Sequence, residues 1–253
     1  MHKKLLVAAL SAALFVPLAA QSKTLRWASQ GDILTLDPHA QNEGLNIAAS
    51  SYVYETLVAY DKDFQITPTL ATEWETPSDT LWRFKLREGV KFHDGSDFTA
   101  EDAAFSIKRA MAPTSNFKAY VNGIKDARAT DSHTLEIELD GPNPVLLRQL
   151  TNVFIMSKAW AEANNTTSPQ DFTKKEETYS ARNAMGTGPY KLSSREVDIR
   201  TEFSENENWW NKDNKVGNVT HIVYTPIAQN ATRTAALLSG EIDFVLDPPA
   251  QDL

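Results

Sequence analysis

Cysteine is absent from the 253-residue sequence. Its absence excludes thiol catalysis, Cys-ligated zinc, structural disulfides and a lipid carried on an N-terminal Cys. Basic runs are missing as well. The 25 Lys and Arg residues are scattered among 33 Asp and Glu, for a net charge of −8, and no basic patch interleaved with aromatics is present to bind a phosphate backbone. Nucleic acid is therefore not an expected partner, and the acidic balance serves solubility. Long apolar runs are absent except near the N-terminus. The chain also has no G-x-S-x-G elbow and no pair of histidines at H-E-x-x-H spacing.

What is there begins with a basic start, Met1 to Lys4, an apolar run from Leu5 to Leu18 and small residues through Ser22. This pattern predicts a secretory signal peptide over residues 1–22, cleaved after Ala20 or Ser22. The run falls short of the roughly 20 residues of a comfortable membrane span. With 42% hydrophobic and 23% charged residues, the remainder reads as a globular protein with a sizeable core, which a disulfide-free secreted protein needs. The expectation is a soluble, monomeric protein of a bacterial periplasm.

Strand and helix patterns mix without strict alternation, which predicts an α+β (mixed α/β) fold. "TLRWASQ" reads as a first strand, and a helix through "LNIAASSYVYETL" is expected to be capped by Asn42 or Asn46. Trp82, Phe84 and Leu86 alternate with charged residues, and Val90 and Phe92 resume the alternation after Glu88-Gly89, predicting a hairpin across that turn. "HTLEIELD", "VDIRTEF" and "VTHIVYTPI" read as strands, "NATRTAALLSG" as a helix closed by Gly240, and "EIDFVL" as a last strand. The polar stretch from Ala161 to Ala184 reads as a surface insertion. Segments before about residue 60 and after about residue 185 are expected to share one sheet, with the middle as a separate lobe.

His93, Asp94, Asp97, Glu101 and Asp102 fall within ten residues and invite a metal or acid/base reading. Asp94-Gly95 is a tight-turn signal, however, and Thr99 with Asp102 resembles a capping box. Glu101 and Asp102 then complement the helix dipole, and Ala100, Ala103, Ala104, Ile107 and Met111 fall on one helical face. A turn feeding a capped helix is the better account; a periplasmic metal-dependent hydrolase using His93 and its acids is the alternative. The glycines of "MGTGPYKL" read as a sharp re-entry between lobes. Trp209-Trp210 reads as one core ring and one loop-covering ring rather than a stacking platform.

Taken in order, "LDPHA", "YVYETLVAYD", "PTLATEWE", "LWRFKLREGVKFHDGSDFTAEDAAFSIKRAM", "GTGPYKL", "NENWW" and "TRTAALLSGEIDFV" resemble the extracytoplasmic solute-binding proteins of peptide and nickel ABC importers, family 5. The resemblance runs from Leu25 to Asp247, but only to the N-terminal half of such proteins. It implies a periplasmic binding protein-like fold of type II with three lobes, the third missing from this chain. The first lobe would be residues 23–64 and 185–253, and the second the inserted residues 65–184. It further implies a binding protein rather than an enzyme, without cofactor or metal, which captures a small solute or short peptide and delivers it to membrane permease subunits. By the same resemblance the cleft floor would carry Gln41, Asn42, Asn46, Tyr120, Asn152 and Phe154. A nickel chelate, an opine, a sugar or haem stays open as ligand.

Overall fold

The computed structural model describes residues 23–174 and 177–249; the expected signal peptide lies outside them. Alternating residues of β1 (Lys23–Ser29) point to opposite sides of a five-stranded sheet of order β11-β1-β10-β9-β8. Its other members are β8 (Tyr190–Glu196), β9 (Arg200–Glu205), β10 (Val219–Pro226) and β11 (Phe244–Val245). β1 runs parallel to both β10 and β11, whereas β8 and β9 are antiparallel additions.

Trp27 faces α1 (Gly44–Val53), with Leu45, Ala49, Val53, Phe203, Ile222 and Tyr224 in the same core. Ala28 faces the other way and packs with Ala236 of α6 (Asn230–Leu238) and with Ile242 and Val245. The period-two alternation of one strand thus places one helix on each face of the sheet.

A short hairpin, β2 (Val58–Tyr60) with β3 (Ile66–Pro68), leads into a second, antiparallel sheet of order β4-β5-β7-β6. Its strands are β4 (Ala71–Ser78), β5 (Leu81–Leu86), β6 (Ile124–Asp131) and β7 (Thr134–Leu139). α2 (Ala100–Met111) covers its apolar face, where Ala103, Ile107 and Ala110 meet Phe84, Ala127, Leu135 and Ile137. Three short helices follow: α3 (Leu146–Leu150), α4 (Lys158–Ala163) and α5 (Tyr179–Arg182).

Several sequence expectations are corrected. The hairpin lies between β4 and β5, turning at Asp79-Thr80, and not across Glu88-Gly89. Residues beyond Gly89 form a compact loop in which Phe98 N bonds to Val90 O and Phe92 N to Ser96 O. Two apolar positions two residues apart give too little pattern to tell a strand from such a loop. Val197 and Ile199 belong to the exposed β8–β9 turn, where Asp198 takes a positive φ of 61°. β6 escaped the reading because its alternation is broken by Lys125, Asp126 and Arg128. The helix α1 starts after Glu43, which makes no side-chain cap, so neither Asn42 nor Asn46 caps it.

Candidate functional site

Pro38 breaks the chain between β1 and α1, and the loop around it is anchored from below by a buried ion pair. The Arg109 guanidinium donates to both carboxylate oxygens of Asp37, at 2.7 and 2.6 Å, and neither side chain has solvent exposure. Burial alone would push the Asp37 carboxyl up, but the Arg109 charge and hydrogen bonds reverse this and hold it below the usual range. Asp37 also accepts from Ser180 Oγ, Gln170 N and His39 N. Arg109 reaches the carbonyls of Thr166 and Ser168.

The residues expected to form a surface insertion therefore include buried members, Thr166, Gln170 and Ser180, wrapped around this pair. A polar stretch looked exposed because its burial is organised by hydrogen bonds rather than by apolar periodicity. His39 lies in the same cluster. Burial, reinforced by the Arg109 charge, lowers its pKa to about 3, so the ring is neutral. Its Nε2 donates to Phe154 O at 2.9 Å, leaving Nδ1 to accept from Arg109.

Above this anchor the chain surfaces at Gln41 and Asn42. Asn116 donates to Ala40 O, Phe117 packs edge-on against His39, and Tyr120 OH donates to Asn42 Oδ1 at 3.3 Å. Asn42 and Tyr120 are thereby joined into one ledge, exposed at Asn42 and half-buried at Tyr120 and at Gln41, the residue before Asn42. Asn46 lies beneath it, buried, and its amide bonds the backbone of Leu34 and Thr35. Phe154 is also buried, its ring against Tyr54 and its carbonyl on His39. Asn152 makes local bonds to Arg148 O and Thr151 Oγ1 at the end of α3.

The same loop begins at the carboxyl end of β1. The exits of the parallel strands β1, β10 and β11 meet there, the position at which open sheets of this kind form a crevice. Asp32 accepts from Asp198 N at 2.8 Å, while Arg195 bonds Ile33 O and Tyr224 OH bonds Gly31 O. Burial lowers the Arg195 pKa against the pull of Asp32. Residues 31–33 are thereby fixed to β8, the β8–β9 turn and β10.

A carboxylate that sequence reasoning missed sits where the two sheets meet. Glu55 accepts from both adjacent indoles, Trp209 Nε1 at 3.1 Å and Trp210 Nε1 at 3.0 Å, and from Thr187 Oγ1 at 2.7 Å. Arg87 stacks over the Trp210 ring at 3.9 Å. Burial raises the Glu55 pKa, opposed by the hydrogen bonds from Thr187 and the two indoles. Trp209 and Trp210 are thus not a free platform: Trp210 packs against the core of the second sheet while Trp209 joins no core, and both serve one carboxylate. Gly186 and Gly188 run so close to α1 that an added Cβ would stand 2.0 Å from Val53 O at the first and 2.7 Å from Tyr52 O at the second.

The residues of the hydrolase alternative do not converge. His93 Nε2 bonds Gly188 O at 3.1 Å, Asp94 accepts from Ser96, and Asp97 pairs with Lys91. Glu101 pairs with Lys158, and Asp102 closes the capping box on Thr99 while accepting from Lys158 N. Burial lowers the His93 pKa to about 4, with Lys191 adding to the effect against the bond to Gly188. Among the described residues no three His, Asp or Glu side chains come together as a metal site.

The family model of the bacterial extracellular solute-binding proteins, family 5 middle region, matches residues 65–253. The chain belongs to this family. Among curated relatives, the periplasmic murein peptide-binding protein MppA of Escherichia coli K12 is 30% identical over 83% of this chain and 41% of its own length. The glutathione-binding protein GsiB of the same strain is 29% identical over 98% of this chain and 47% of its own. The structure of the periplasmic binding protein DppA of Helicobacter pylori, in complex with the peptide STSA, superposes with a TM-score of 0.78 at 27% identity, over 91% of this chain and 48% of that one. The chain spans about half the length of these family 5 relatives, and its fold is the mixed α/β fold of periplasmic binding proteins.

Proposed function

We propose that this chain is part of the substrate-binding component of an ABC importer, which captures a short peptide outside the cytoplasmic membrane and hands it to the permease. The reading includes export by the N-terminal signal, a monomer free in the periplasm, and binding without catalysis. It also assigns residues 23–64 and 185–253 to a first lobe and 65–184 to an inserted second lobe, with the ligand closed in by a third.

The observation that carries it is the ledge at Gln41, Asn42 and Tyr120, carried by the loop that leaves β1, the central one of three adjacent parallel strands. Neutral amide and phenol groups over a rigid ion-paired base suit the peptide groups of a ligand, which need donors and acceptors more than charge. The names of the relatives, for murein peptide and glutathione, support the same class.

Calorimetry of the longer protein against glutathione, Met-Leu and the tetrapeptide Ser-Thr-Ser-Ala tests the proposal. At least one peptide should bind in the longer protein and bind far more weakly to residues 23–253 alone, since closure excludes water and strengthens polar contacts. Equal nanomolar affinity in both would remove the need for a closing lobe. Binding of nickel-histidine with no response to any peptide would overturn the ligand class.

A further inference from the structure

Buried polar atoms without a hydrogen-bond partner are few among the described residues, and four of the five, Asp32 Oδ1, Arg195 Nε, Arg233 Nε and Asp247 Oδ1, flank the loop after β1. They belong to two ion pairs, Asp32 with Arg195 and Arg233 with Asp247. Arg233 lies in α6 with its side chain 1% exposed, on the buried face it shares with Ala236, where an arginine is uncommon. It donates to Ile227 O at 2.6 Å, Asn230 Oδ1 at 2.9 Å and Asp247 O at 3.1 Å. Its Nε stands 3.6 Å from Asp247 Oδ1, and Asp247 Oδ2 accepts from Gln30 N at 3.0 Å.

Ile227 follows β10, Gln30 follows β1 and Asp247 follows β11. One ion pair therefore touches the exit of every parallel strand in the sheet. A buried charge is costly to desolvate, and most of its hydrogen-bonding capacity must be met by fixed partners. Arg233 meets this requirement with backbone carbonyls from two separate exits, so their spacing is set by the span of one planar guanidinium.

We propose that Arg233 and Asp247 are positioning residues for ligand capture: together they hold the three strand exits at fixed spacing and so shape the crevice at which the loop bearing the ledge begins. This rests on the binding reading above. The pair acts through the backbone of residues 30, 227 and 247.

Hydrogen exchange on the ligand-free, longer protein, with Arg233→Met, Arg233→Lys and Asp247→Asn, tests the brace. The amides of Gln30, bonded to Asp247, and of Leu246, bonded to Ala28 O, should exchange about tenfold faster in Arg233→Met and Asp247→Asn while β9 amides keep their protection. Arg233→Lys, which keeps the charge, should recover part of the difference. Wild-type exchange in both variants overturns the brace, and so does loosening spread evenly over the sheet. Affinity for whichever of glutathione or Ser-Thr-Ser-Ala the wild type binds should fall about tenfold in both variants. Unchanged affinity beside a loosened Gln30 overturns the positioning role. If neither peptide binds the wild type, the ligand-capture reading fails and the exchange pattern alone decides the brace.

Discussion

Glu55 shows how far a single side chain can depart from its appearance in sequence. In "YETLVAY" nothing singles it out, yet it sits among Thr187, Trp209 and Trp210, more than 130 residues downstream. Glu55→Gln keeps the shape but turns one acceptor into a donor facing an indole N–H. It should cost about 1–3 kcal/mol in urea unfolding followed by far-UV circular dichroism, because a donor is left unsatisfied. A loss below the error of the measurement would show that the indoles find other partners.

His93 carries a prediction in pH. Its folded pKa of about 4 lies below the ordinary value of 6.5, so the unfolded chain binds more protons between those values. Stability should fall as pH drops from 6.5 to 4, by up to about 3 kcal/mol from this residue. His39, lowered to about 3, acts in the same direction over a longer window. Glu55, whose pKa is raised, opposes both, since its contribution is lost as pH rises above its unfolded value. His93→Gln can still donate to Gly188 O and should flatten the slope of denaturation midpoint against pH; an undiminished slope would assign the dependence elsewhere. Replacing His93 with Ala and Asp94 with Asn together should leave peptide affinity in place, which calorimetry can check.

At the scale of elements, legibility followed periodicity. α2 was readable to its cap because Thr99, Asp102 and the apolar face from Ala100 to Met111 all state the same structure locally. β1, β7, β10 and α6 were readable for the same reason. The 90–98 loop, the β8–β9 turn and the wrap of residues 166–180 were not, since each is shaped by bonds to distant backbone. The re-entry at Gly186 and Gly188 was legible as a glycine signal without its cause, which is contact with the carbonyls of Tyr52 and Val53. Gly186→Ala should destabilise by about 1–3 kcal/mol or more, as overpacking against backbone does, whereas Gly141→Ala, in open space, should change little. Thermal melts of the two variants make the comparison, and equal melting would refute the close approach.

Over the whole molecule, the candidate site was legible in part. The ledge residues Gln41, Asn42 and Tyr120 came from family resemblance; no spacing pairs residue 42 with residue 120. The ion pair beneath them was invisible, because Asp37 and Arg109 are 72 positions apart and Arg109 falls in the last turn of α2, where a cation is expected to face solvent. Arg109→Met leaves Asp37 buried without its counter-charge and should cost about 3–5 kcal/mol, measured as a shifted urea midpoint. It should also release the loop at Gln41 and Asn42, seen as faster amide exchange there. A shift within the range of an ordinary surface variant would mean that Ser180 and Gln170 suffice to hold Asp37.

The shared carboxylate of Trp209 and Trp210 has an optical consequence. Two of the six tryptophans in the chain lie side by side, bonded to one acid and covered by an arginine from the segment after β5. Their emission depends on the polarity and quenching set by those two charged neighbours. The share of a ligand-induced fluorescence change that is lost when Trp209 and Trp210 are replaced by Phe would therefore register movement at this junction rather than occupancy of the ledge. A silent titration is compatible with a filled site and an unmoved junction.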